Sequence, residues 1–494
     1  MKDVILRKQS YKLFPYEEQL AFREAKALLG FSELIDYGIF IKAKDCLHPS
    51  NAINLTFFST YRIDNTWYKT KQFLRENNTK KRQNTRYYAH GIHEYKGKFN
   101  PQIVRSLLNI YGIKEGCNVL DPFCGSGTSL FECQLQGISS VGIDINPMAS
   151  FIAKVKTSIL SEVEVISKFD IKNFIDKCKV YVTYFKDNED ERTDYLHKWF
   201  KDEYYILIET IKRVSEKEKS ETLKNLILLT TSNFLRDYSF QEPKDLRIRR
   251  RTSPFPQESI WSRLERDFLS VQSKIQKMSI EEQSIIPRSE IFNQSIIDFS
   301  NNTTYHDYFD FALTSPPYAT ALPYIDTQRL SIVWLDMAHG KDIKELECSL
   351  IGTREIATKK ERSLIENKLL SNENGLTDET YNFCISLQQK LIENDGFRKR
   401  NVPVMLYKYF SEMSEMFSSV YSLLKNDSHY CLIVGYNKTK IGGETLIDTP
   451  YYLSKEAERN GFTVQEILRL EAYQRYEIHN KNSITSEALI VLKK

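Results

Sequence analysis

Apolar runs of membrane-spanning length are missing from this 494-residue chain, and its start carries no signal-peptide core. No role within or across a bilayer is expected. Cysteine is scarce: eight are scattered, and no C-x-x-C pair occurs among them. The usual zinc and disulfide patterns are therefore excluded, so no metal is expected, and reduced thiols in the cytoplasm are. The chain has no Gly-Lys-Ser/Thr to complete a P-loop, no three-glycine dinucleotide fingerprint and no internal repeat. A strong excess of one charge is also lacking. A net charge of +4 leaves any attraction to a polyanion to local patches. Hydrophobic residues make up 41%, enough for two or three compact soluble units at this length.

Two short segments stand out against this background. The first, Asp121-Pro-Phe-Cys-Gly-Ser-Gly-Thr128, follows an apolar run from Cys117 to Leu120 and precedes a helical pattern from Ser129 to Leu135. A strand, a glycine turn and a helix form the first half of a nucleotide-binding βαβ unit. Gly125 and Gly127 let the backbone turn tightly beside a ligand. A second apolar run, Ser140-Val-Gly-Ile-Asp144, ends in an acid placed to grip ribose hydroxyls. Asp121 at the first strand end would repel a phosphate and suits a positive amino group. The second segment, Thr314-Ser-Pro-Pro-Tyr318, follows the strand candidate Asp310 to Leu313. Consecutive prolines fix two φ angles and remove two donors, leaving a rigid loop with outward carbonyls. Ser315 and the Pro316 carbonyl offer acceptors to a planar amine, and Tyr318 offers a flat face for stacking. Alone, such a loop reads as an ordinary proline turn; downstream of the first segment, that reading recedes.

With these residues the chain resembles the S-adenosylmethionine-dependent amino-methylating DNA methyltransferases, which modify N4 of cytosine or N6 of adenine. Its segments are similar to the family's D-P-F-C-G-S-G-T cofactor loop and catalytic T-S-P-P-Y. Serine at the head of the tetrapeptide is commoner among cytosine-N4 members, so the resemblance leans to N4-cytosine and leaves N6-adenine open. It implies a Rossmann-like class I methyltransferase fold, an α/β sheet mostly parallel with an antiparallel last strand. Double-stranded DNA is the implied partner. A separate restriction or defence partner is left open. Carried onto this sequence, the catalytic set is Ser315, Pro316, Pro317 and Tyr318. The cofactor loop contributes Asp121, Pro122, Phe123, Gly125, Ser126, Gly127 and Thr128, with Asp144 for the ribose. The stretch from Tyr88 to Pro101 is similar to a cofactor-covering segment, with Lys96 where the family has proline. There Lys98 is expected to meet the methionine carboxylate, and Phe99 and Pro101 to wall that end. Asp298 matches the acid that takes the adenine amino group. An RNA guanine-N2 methyltransferase has a similar loop and a P-P-Y, but usually a preceding RNA-binding module, and none is recognisable in residues 1–85. Carbon-5 methylation needs a Pro-Cys nucleophile, and the chain contains no such dipeptide.

Helical periodicity and charge dominate residues 158–285, which are expected to form an insertion that reads target sequence. Residues 86–157 with 286–494 are expected to form the catalytic domain. The basic run Arg247, Arg249, Arg250 and Arg251 near the end of the insertion would contact DNA phosphates. Residues 1–85 read as a helical arm and linker, and the polar stretch 341–402 as a surface excursion or lid. Val404 to Leu424 reads as one amphipathic helix, followed by strands at His429–Gly435, Val464–Leu468 and Glu487–Leu492.

Overall fold

The computed structural model describes residues 1–76, 83–95, 97–245, 248–282, 289–319, 324–353, 355–356, 358–471 and 486–494. The chain opens with β1 (Lys2–Lys8), β2 (Glu33–Asp36), β3 (Phe40–Cys46), β4 (Phe58–Ile63) and β5 (Thr66–Lys69). They form an antiparallel sheet in the spatial order β2-β3-β1-β4-β5, with the helix Pro15–Leu29 packed beneath it. A helical arm was expected here. Only the helix has an uninterrupted pattern; the strands are short, and their outward positions carry charges such as Arg7, Lys42 and Lys44 that mask the alternation. Inward residues Val4, Leu6, Ile41 and Ala43 are fully buried. They share one core with Val119, Phe311 and Ile433 of the main sheet, so this unit covers a sheet face.

The main sheet is built from β6 (Asn118–Asp121), β7 (Ser139–Ile143), β8 (Ser289–Phe292), β9 (Phe309–Thr314) and β10 (Leu424–Gly435). After the small hairpin β11 (Asn437–Thr439) and β12 (Thr445–Ile447) come β13 (Thr463–Glu471) and β14 (Ser486–Lys493). Its order is β13-β14-β10-β9-β6-β7-β8. Strands β6 to β10 pair in parallel. β14 is antiparallel to both β10 and β13, as the sequence pattern suggested for the last strand. From β6 the chain winds outward to β7 and β8, then returns to place β9 on the other side of β6. At such a reversal the loops leaving two neighbouring strands diverge and open a crevice beyond the carboxyl ends. The loops in question are the two segments singled out above.

Neighbouring residues along the strands serve opposite faces. Leu120, Ala312, Leu432 and Val434 pack under the helix Phe397–Leu423, which buries Tyr407, Phe410, Met413 and Phe417. This helix begins before the expected Val404 and runs through Pro403, which lies in its second turn. The expected insertion is helical, including Ile171–Val182, Asp202–Ser215, Glu221–Ser232 and Ile260–Glu281. Its core continues through Phe131, Met148 and Ile152 to Trp334. Residues 341–402 include the helices Lys359–Ser371 and Asp378–Gln389, whose Leu369, Cys384 and Leu387 join the core beneath Phe397–Leu423. No helix among the described residues is long and apolar enough to cross a membrane.

Candidate active site

A cavity of about 220 Å³ lies at the carboxyl ends of β6, β7, β8 and β9. The β6 loop supplies Pro122, Phe123, Gly125, Ser126 and Thr128; the β7 end supplies Asp144 and Asn146. The β8 end contributes Gln294 to Ile297, and the β9 loop Ser315 and Pro317. The turn after β6 is closed by Gly127 N–H donating to the Cys124 carbonyl (2.7 Å). Gly125 and Gly127 have φ of 50° and 70°, in the left-handed region. A side chain on Gly127 would bring its Cβ within 2.9 Å of the Ala153 Cβ, so glycine is required for close packing on the helix Pro147–Ser158. Gly127 shapes the loop from outside the cavity wall.

Asp144 is in the wall. Its Oδ2 accepts from Gly125 N–H (2.8 Å) and its Oδ1 from Asn146 N–H (2.8 Å). Burial raises this carboxyl to about 6, and the two backbone donors oppose the rise. Each oxygen keeps acceptor capacity toward the cavity. Asp121 behaves differently from expectation. It is fully buried and outside the wall, and its carboxylate accepts from Phe123 N–H (3.1 Å), the Ser129 hydroxyl and the Thr314 hydroxyl (2.6 Å). It therefore ties the β6 loop to the end of β9, with its carboxyl raised to about 6 by burial.

Lys98 and Phe99 line the cavity, whereas Pro101 is buried as the first residue of the helix Pro101–Ile110. The Lys98 ammonium donates to the carbonyls of His90 (2.7 Å) and Thr85 (3.2 Å), and burial lowers it to about 7. Asp298 departs from its expected role. It is exposed, and its Oδ2 accepts from the Ser295 hydroxyl (2.6 Å); Ser295 to Ile297 reach the cavity in its place. Helix capping by Ser295 turns the carboxylate outward.

In the β9 loop the Ser315 hydroxyl donates to the Ile433 carbonyl (3.1 Å), and Tyr318 OH donates to Glu487 (2.7 Å). The Pro317 carbonyl accepts from Tyr409 OH (3.2 Å), while Pro316 is buried outside the wall. Ser349, Leu350 and Ile351 also line the cavity. At Gly352 a Cβ would stand 2.7 Å from the Tyr318 carbonyl, so the chain here lies directly on the β9 loop. Tyr95, Asn146, Glu412 and Glu415 are wall residues that sequence reasoning missed. Asn146 had a local signal, Asn before Pro at a helix start; the glutamates sit on a helix face with none.

Of the basic run, Arg247 falls outside the described residues. Arg249 has a side chain 63% exposed, near Asp245 at 4.0 Å. Arg250 is exposed, stacks over Trp199 at 4.6 Å and donates to the Lys198 carbonyl (2.8 Å). Arg251 is a correction to the DNA-contact expectation. It donates to the carbonyls of Ser239, Arg236, Asp237 and Pro254 at 2.8 to 2.9 Å and lies over Phe255 at 4.6 Å, holding the loop together.

Residues 42–155 match the family model described as DNA methylase, N6_N4_Mtase. That span contains the β6 loop and Asp144 and ends before the β9 loop. The chain is 36% identical to the type II methyltransferase M.MjaII of Methanocaldococcus jannaschii over 143 residues, 27% of this chain and 25% of that one. It thus spans a quarter of that relative's length. With the type II methyltransferase M.MvaI of Kocuria varians it shares 23% identity over 414 residues, 80% of this chain and 83% of that one. A tRNA (guanine(10)-N2)-dimethyltransferase of Methanothermobacter thermautotrophicus is 44% identical over 52 residues, only 10% of this chain and 16% of that one.

Proposed function

We propose that this chain, which belongs to the N4/N6 amino-methylating DNA methyltransferases and uses S-adenosyl-L-methionine, methylates N4 of cytosine in double-stranded DNA as a type II enzyme. The observation that carries the reading is the state of Ser315. Its hydroxyl donates to the Ile433 carbonyl at 3.1 Å and the residue lines the cavity, which leaves the oxygen available as an acceptor. A hydroxyl fixed in that sense is suited to hold the N–H of an exocyclic amine. DNA is favoured over RNA by the extent of similarity: four fifths of the chain aligns with a type II methyltransferase, and 10% and 22% with two tRNA enzymes.

The bound cofactor supplies a methyl group on a positively charged sulfur, already activated for displacement. The cavity residues fit it: a glycine turn admits its backbone-facing edge, and Asp144 presents a carboxylate to ribose hydroxyls. The target base leaves the duplex and stacks on Tyr318, whose ring is anchored through Glu487. Ser315 accepts an amine N–H and draws the lone pair back onto nitrogen. With the amine held by Ser315, the cofactor would supply the methyl group to nitrogen and the amine proton would pass to solvent. Catalysis here is positioning and polarisation, without a covalent enzyme intermediate.

Ser315→Ala is expected to lower kcat by about 10²-fold. Tyr318→Ala is expected to lower it further through lost stacking. Both should leave cofactor affinity unchanged in calorimetric titration. Collapse of cofactor binding in either variant would contradict this division of roles.

A further inference from the structure

A buried adenine has apolar faces and an amino group whose N–H donors need acceptors. If Asp144 takes the ribose, the base extends toward the ends of β8 and β9. The wall there is apolar: Phe123, Ile296, Ile297, Leu350 and Ile351. Asp298, the acid expected for the amino group, is exposed and occupied by Ser295. The opposite wall is the helix Phe397–Leu423, which packs against the helix Ile296–Ser300 and brings Glu412 and Glu415 to the same cavity. Glu415 is exposed. Glu412 is half-buried. Its Oε1 meets Lys408 at 3.0 Å, one turn earlier, and its Oε2 is buried with no hydrogen-bond partner. Of the three carboxylates in the wall, only this one carries an orphaned buried oxygen among the described residues. An unsatisfied buried acceptor costs folding free energy, so a donor that a ligand brings to this wall would relieve it.

We infer that Glu412 accepts a hydrogen bond from the adenine amino group of the cofactor and is the residue that selects adenine at this end of the site. The inference rests on the cofactor reading above and adds to it the specificity-determining group. Burial pushes the Glu412 carboxyl up while Lys408 opposes the rise; ionised or neutral, the group retains an acceptor oxygen for the amine. It is a binding residue for the base and has no part in the transfer itself.

The test is calorimetric titration of the full chain with S-adenosylhomocysteine and with the same compound carrying purine, hydrogen at C6, in place of adenine. Wild type should bind the adenine compound about tenfold tighter. Glu412→Ala and the better-filling Glu412→Met should erase that preference, weakening the adenine compound about tenfold while changing the purine compound less than about twofold. Glu412→Gln, which keeps an acceptor, should stay within about threefold of wild type for both. Equal loss for the two ligands would mean a packing role and overturn the inference, as would an unchanged preference in both acceptor-free variants. Failure of wild type to bind S-adenosylhomocysteine at all would instead overturn the cofactor reading on which it stands.

Discussion

The Asp121 carboxylate, buried at the end of β6, accepts three hydrogen bonds that join the β6 loop, its following helix and the head of the β9 loop. Thr314→Val keeps the shape of that contact and removes the donor. It is expected to cost about 1–3 kcal/mol in urea denaturation. Turnover should fall while cofactor affinity holds, because Thr314 positions Ser315 and lies outside the cavity wall. Asp144 gives a pH signature. Its carboxyl stands at about 6 in the fold, against an ordinary value near 4. The ionised form is the better acceptor of ribose hydroxyls, so cofactor affinity should rise as pH climbs through about 6. Asp144→Asn should lose that step in a titration series from pH 5 to 8. For stability the sign is opposite. A carboxyl raised on folding stabilises the fold at low pH, and that contribution is lost between about pH 4 and 6 as pH rises. The chemical loops were legible at this scale because their residue types are demanded in a fixed order. The misplaced roles of Asp121, Asp298 and Arg251 share one cause. Each is decided by a hydrogen-bond partner, Thr314, Ser295 or the carbonyls around Arg236, that local sequence does not bring into view.

Among the elements, the helical insertion must be fixed to the catalytic sheet if it is to present DNA to the cavity. Arg192 is one such staple. It forks onto Glu209 at 2.5 and 3.1 Å, donates to the carbonyls of Val333 (3.2 Å) and Trp334 (2.7 Å), and meets Asp336 at 2.7 Å. Glu209 is almost wholly buried. Arg192→Met leaves that carboxylate without its fork and is expected to cost about 3–5 kcal/mol, read as a lower urea midpoint. The parallel strands β6, β7 and β9 showed as continuous apolar runs because both sheet faces are covered. β8 was missed: it is a half-buried four-residue edge strand, too short for a pattern. The N-terminal strands were missed for a different reason, since their outward positions are charged.

For the whole molecule, a mild net charge makes DNA attraction a matter of patches, and Arg249 and Arg250 are the exposed members of the insertion's basic run among the described residues. Replacing both with alanine is expected to weaken duplex binding at every sequence and reduce the salt slope by about 1–2. Arg251→Ala, which strips a loop of its internal donor, should lower stability instead. The order of the main sheet places the two signature loops at one reversal, and that topology joins two distant segments of sequence into a single cavity. The central claim is tested most directly by incubating the enzyme with duplex DNA and methyl-labelled S-adenosylmethionine, digesting to nucleosides and identifying the labelled one. N4-methylcytosine, lost with Ser315→Ala, is the predicted result. Label in N6-methyladenine, or no label in DNA alongside methylated guanine in RNA, would contradict it.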